Sequence, residues 1–181
     1  MRSAKKYISS SLCIFLVILF NYIGTSAVTL NVSNMRQLDT KLCWVTAAKM
    51  VGDYLVPGNG NTIRNTVIYI KGRYVNEGGN EQEHRLAINY ITNRQYSYAR
   101  ATSGFNGTFI KNSLNKGYPL TVGVTGHVYV LRGYDDYING GYLTLNDPWT
   151  GTTKQVMLDY FVAGEWSDNR PYNDHFYKSP L

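Results

Sequence analysis

Cysteine and histidine are scarce in this sequence. Among 181 residues there are two cysteines, Cys13 and Cys43, and three histidines, His84, His127 and His175. Cys13 lies inside an apolar run near the start, so the remainder holds one thiol and no internal disulfide framework. An unpaired thiol in an exported chain is a liability unless it has work to do, although a buried, inert cysteine is the common alternative. Charge is also sparse: 18 basic and 12 acidic residues give a net +6. Without the three cations Arg2, Lys5 and Lys6 of the first segment this falls to +3. No basic cluster with interleaved aromatics accompanies it, which argues against nucleic acid as a partner. There is no internal repeat and no low-complexity segment, which excludes a solenoid.

The first 27 residues read as a secretory signal: a basic start, an apolar run from about Ile8 to Ile23, then Gly24-Thr25-Ser26-Ala27. Cleavage is expected after Ala27. An uncleaved anchor would want about 20 apolar residues, slightly more than this run supplies. Leu12 before Cys13 is a poor context for a lipid anchor. Residues 28–181 then make one domain, long enough to bury a core. It is expected outside the cytoplasm, extracellular or periplasmic, with no stable membrane association.

Residues 28–36 suggest a short extended lead-in. Thr40 is a plausible N-cap for a helix that runs from Cys43 through Val45, Ala47, Ala48, Val51, Tyr54 and Leu55, ended by Pro57-Gly58-Asn59-Gly60-Asn61. Thr62 to about Tyr74 reads as a second helix, with a strand still open because of its β-branched content. Asn80 and Glu83 have capping-box spacing before a third helix to about Arg94. Tyr96–Ala101 alternates like a strand, and Phe109, Ile110 and Leu114 mark a short helix ended by Gly117. Beyond it, Pro119–Val124, His127–Tyr134 and Tyr142–Asn146 have strand composition, with a turn at Asn139-Gly140-Gly141. Gln155–Phe161 reads as a strand or a short helix. Helices first and an antiparallel sheet after them make an α+β domain with segregated layers.

A thiol becomes a strong nucleophile at a helix N-terminus or beside an imidazolium. Cys43 opens a helix. His84, among Glu81, Glu83 and Arg85, reads as part of a solvated face, and the Glu-Gln-Glu-His run is no established metal spacing. His175 sits in a Pro- and Asn-rich tail and reads as peripheral. His127 follows Gly126 and opens the apolar run Val128-Tyr129-Val130-Leu131, so it is the candidate base. The strand ending in Asn146-Asp147-Pro148-Trp149 folds back beside it and offers an orienting group. Asn146 and Asp147 point to opposite faces, so only one can serve, and the turn's parity decides which. Gln37, six residues before Cys43, offers a side-chain amide for an oxyanion.

Gln37-x5-Cys43-Trp44, Gly126-His127 before an apolar strand, and Asp147-Pro148-Trp149 together resemble the papain-like cysteine peptidase superfamily. The likeness runs from Gln37 to Trp166. Leu114-Asn115-Lys116-Gly117-Tyr118-Pro119-Leu120 and Gly133-Tyr134-Asp135 make it more similar to the compact bacterial members, the bacteriocin-leader-processing peptidases and secreted effector-type proteases. The resemblance implies a papain-like fold, with an N-terminal helical layer carrying the nucleophile at a helix start, packed on a C-terminal antiparallel sheet. It makes Cys43 the nucleophile, His127 the base, Asp147 the orienting residue and Gln37 the oxyanion residue, with the Trp149 ring shielding the His–Asp bond. The sequence departs from the plant and lysosomal enzymes in its 84-residue Cys–His interval, its lack of disulfides and its Thr40–Leu42 context.

The implied reaction is peptide-bond hydrolysis without metal or cofactor by a secreted, monomeric thiol protease. The expected partners are a protein or peptide substrate and a separate inhibitor protein. Two rival readings are a Cys–His peptidoglycan amidase or endopeptidase and an inactive secreted binding protein. Substrate-pocket loops are expected around Ser103–Gly107 and Thr125.

Overall fold

The computed structural model describes residues 27–100, 107–124, 126–136, 141–163 and 172–180. Residues 1–26 of the segment read as a leader, the turn residues Asn139 and Gly140, and the pocket-loop residues 103–106 and Thr125 lie outside these residues.

Five helices and seven strands are described. The helices are α1 (Cys43–Leu55), α2 (Ile63–Lys71), α3 (Glu81–Ile91), α4 (Gly107–Asn115) and α5 (Leu158–Ala163). The strands are β1 (Ala27–Thr29), β2 (Tyr96–Arg100), β3 (Leu120–Val124), β4 (His127–Asp135), β5 (Tyr142–Asp147), β6 (Thr152–Met157) and β7 (Tyr172–Pro180). One antiparallel sheet runs in the order β2-β7-β3-β4-β5-β6, with β1 added to the far end of β4. The α+β architecture expected from the sequence is the one observed.

The helices begin and end for identifiable reasons. Thr62 accepts from the Asn65 N–H at the start of α2, which closes with Gly72 in the left-handed conformation. That cap, with a buried stripe through Ile63, Thr66 and Val67, makes Thr62 onward a helix rather than a strand. Asn80 and Glu83 form the expected capping box on α3. Asn93 and Arg94 take positive φ angles of 51° and 65° and turn the chain into β2, ending α3 before Arg94.

Alternation on β3 and β4 builds two cores, one on each face of the sheet. Val128 and Val130 face α1, α2 and α3, packing with Trp44, Val45, Ala48, Val51, Val67 and Ile88. Leu120, Val122, Tyr129 and Leu131 face the other way, with Ile110 and Leu114 of α4 and Phe161 of α5. The sheet is therefore covered on both sides, and the central strands β3 and β4 are buried at nearly every position.

The tail differs most from expectation. Tyr172–Pro180 is a nine-residue strand between β2 and β3, and His175 is paired with Val122 rather than lying at the periphery. Its Asn, Asp, Lys and Ser content hides it from a composition reading, because its place is set by the neighbours it pairs with. Gln155–Phe161 contains both structures suggested for it, the end of β6 and the start of α5.

Candidate active site

Cys43 is the first residue of α1, but Thr40 does not cap the helix. The N-cap is Leu42 and no side chain caps it, while the Thr40 hydroxyl accepts from Asn76 Nδ2 (3.0 Å). An uncapped first turn keeps its N–H groups unspent beside the thiol, where the helix dipole favours negative charge. The segment is held from the side instead. The Lys41 N–H donates to Asn76 Oδ1 (2.8 Å), Trp44 Nε1 donates to Glu77 O (3.0 Å), and the Tyr74 hydroxyl donates to Asp39. That bond, followed by burial, raises the Tyr74 pKa. Gly79 has a packing role: a Cβ there would stand 2.3 Å from the Trp44 ring.

His127 opens β4 and is 5% exposed. Its Nε2 bonds Asp147 Oδ1 at 2.8 Å. Cys43 hydrogen-bonds the same ring, and with Nε2 engaged by Asp147 the nitrogen left to face the thiol is Nδ1. Burial alone would lower the His127 pKa, but the bonds to Asp147 and Cys43 and their charges outweigh it, and the net shift is upward. Burial likewise pushes Asp147 up and is overcome. Hydrogen bonds from His127, Lys154 and the Trp149 N–H hold its carboxyl well below the usual range.

The end of β5 offered two orienting groups, Asn146 and Asp147, and a β-bulge decides which faces His127. Near the turn, Gly133 pairs with Thr144 and Tyr134 with Leu143; past the bulge, Leu131 pairs with Leu145 and Val130 with Asn146. The extra residue is Arg132. Carried to the strand ends, this register places Asp147 opposite Tyr129, on the face of His127. Without the bulge Leu131 would oppose Asn146, and Asn146 would share that face. Instead Asn146 points away, donating to Val32 O (2.9 Å) and accepting from Arg132 Nε (2.8 Å). Gly133 beside the bulge lets β1 cross closely, since a Cβ there would meet the Val28 carbonyl at 2.8 Å.

Gln37 is tied to the same strand end, its N–H donating to Pro148 O (2.7 Å). Its Nε2 donates to Asp39 O (2.7 Å), and its Oε1 is buried without a partner, the one such side-chain atom among the described residues. Gln37 lines a groove with Arg36, Leu38, Asp39, Thr40 and Trp149. The neighbouring cleft of about 430 Å³ holds Cys43 and His127, with Gly78, Gly79, Gly123 and Gly126 among its walls. The Trp149 ring is 52% exposed, and its backbone N–H bonds Asp147 Oδ1 at 2.9 Å.

His84 is not on a solvated face. It is 1% exposed, with Nδ1 donating to Trp44 O (2.8 Å) and Nε2 accepting from the Thr121 hydroxyl (2.9 Å). Its charged neighbours in sequence turn outward while the histidine turns in at the helical period. Burial drives its pKa down to about 4, so it is neutral at physiological pH. Two further contacts of Asp147 escaped the sequence reading: the Thr150 hydroxyl at 3.2 Å and Lys154 Nζ at 3.0 Å, both on Oδ2. Beginning the last strand at Gln155 concealed them. The turn from Asp147 to Thr152 brings Lys154 back to Asp147's face. Among the described residues no cluster of metal-ligating side chains occurs, and no helix is long and apolar enough to cross a membrane.

A crystal structure of UfSP from C. elegans superposes with a TM-score of 0.52 at 13% identity, over 87% of this chain and 35% of that one. The likeness is one of fold, and the chain spans about a third of that protein's length. No curated protein sequence matches. The model of the Peptidase_C39 like family matches residues 29–172. The chain belongs to the Peptidase_C39 like family and is thereby one of the papain-like cysteine peptidases.

Proposed function

We propose that the protein is a secreted peptidase that cleaves peptide bonds with Cys43 as nucleophile, His127 as base, Asp147 as orienting group and Gln37 as oxyanion donor. The observation that carries this reading is one buried imidazole held by a carboxylate at 2.8 Å on one nitrogen and by the only described thiol on the other side.

His127 takes the Cys43 proton, giving a thiolate–imidazolium pair whose positive member Asp147 stabilises. The thiolate attacks the substrate carbonyl. The Cys43 N–H, in an uncapped first turn, and the second hydrogen of Gln37 Nε2 receive the oxyanion. His127 then protonates the leaving amine, and water attacks the thioester to regenerate the thiol. The glycine-rich walls of the cleft expose backbone to an extended substrate chain. The apolar leader ending at Ala27 supports export; the substrate is then a protein or peptide outside the cytoplasm, and a separate inhibitor or export itself restrains activity. Incubating the protein with a peptide library and, in parallel, with purified cell walls tests the reading. Peptide cleavage with intact walls is expected; release of wall fragments with intact peptides would overturn it in favour of a cell-wall amidase.

A further inference from the structure

Asp147 is held by more donors than a histidine-orienting carboxylate needs. Its Oδ1 accepts from His127 Nε2 and the Trp149 N–H, and its Oδ2 accepts from the Thr150 hydroxyl and Lys154 Nζ. Lys154 comes from a third strand. It pairs with Leu145 across β5–β6, which puts it on the face shared by Asp147, Tyr129 and His127. Its ammonium lies 5.6 Å from the centre of the Tyr129 ring, and that ring meets His127 edge-on at 4.5 Å. Lysine, aromatic ring, histidine and carboxylate thus form a closed circuit. The Lys154 side chain is 32% exposed while that of Asp147 is 2% exposed, so the cation reaches from the rim to a carboxylate that water does not reach.

Building on the triad reading, we propose that Lys154 is a positioning residue that clamps Asp147 against His127 and sets the pH above which the histidine loses its proton. One oxygen of the carboxylate faces the imidazole and the other faces the Lys154 ammonium. The cation divides the carboxylate's pull on the imidazolium and opposes it across a short, poorly solvated distance. Lys41, just before α1, and Glu81, opening α3, line the same cleft as His127 and are common to every variant compared. Cys43 approaches His127 from α1, Arg132 is spent on Asn146 and Leu30 O, Asp39 is turned to Tyr74, and Arg36 packs its Cβ by Gly151.

The test compares the full chain with Lys154→Met and Lys154→Arg by two readouts: kcat and KM for a peptide substrate against pH, and the His127 ring titration by NMR. In Lys154→Met the undivided carboxylate charge should move the alkaline limb and the ring titration upward by about half a unit to one unit. The loosened carboxylate should lower kcat about tenfold with KM unchanged. Lys154→Arg should restore both. A Lys154→Met protein that melts earlier but keeps the wild-type limb and ring titration would overturn the proposal and leave Lys154 a structural ion pair. The ring titration needs no substrate, so failure of the peptidase reading shows as an inactive wild type, while failure of this inference shows as an unmoved titration.

Discussion

His84 and His127 are both nearly inaccessible, each is bonded on both ring nitrogens, and they have opposite chemistry. His84 lies between a backbone carbonyl and a hydroxyl, neither able to neutralise a charge, so burial wins and the ring stays neutral. His127 lies between a carboxylate and a thiol, and the ring favours its proton in spite of burial. Burial therefore does not assign a role to a histidine; the partners do. His84 joins α3 to the first turn of α1 and to β3, and so braces the helix that carries Cys43.

The comparison can be broken at several points. The largest effect is expected at His127: His127→Ala should lower kcat/KM by about 10³-fold or more with the fold intact, since the thiol loses its base. Gln37→Ala should cost about 10²–10³ in kcat, as removal of an oxyanion donor does elsewhere. His84→Ala should do the reverse of His127→Ala. It removes one partner each from the Trp44 carbonyl and the Thr121 hydroxyl and opens a cavity, so chemical denaturation should show a loss of about 2–4 kcal/mol, with kcat per folded molecule within a few-fold of wild type.

The smallest effect is a slope with pH. The folded His84 value, about 4, lies below the ordinary 6.5, so between these limits the unfolded chain binds a proton the folded chain does not. Stability should fall as pH drops from about 6.5 to about 4, by up to about 3 kcal/mol. His127 acts with the opposite sign: its raised value stabilises the fold below the ordinary 6.5 and loses that contribution as pH rises through the folded value. Unfolding curves across this range for wild type and His84→Gln should differ by the His84 slope alone, with the variant flatter.

The parts legible from sequence were those set by local chemistry. Capping at Asn80–Glu83, the helix start at Cys43 and the strand character of β3, β4 and β5 follow from neighbouring residues. Cys43, His127 and Asp147, which meet in the structure, could be picked out because each has a recognisable local context. Illegible were features set at a distance. The Arg132 bulge that selects Asp147 over Asn146 depends on strand register. The burial of His84 depends on what packs against α3, and the insertion of β7 beside β3 depends on long-range pairing. Lys154 was missed because a strand start misplaced by three residues left it outside the hairpin that carries it to Asp147.

The thiol at the start of α1 carries the proposed chemistry. Its most direct test is cleavage of a peptide library by the full chain beside Cys43→Ala, with fragments mapped by mass spectrometry and the fold of both proteins checked by circular dichroism. Cleavage by the wild type and none above background by the folded variant is the predicted result. Equal fragment patterns from both proteins would contradict the account.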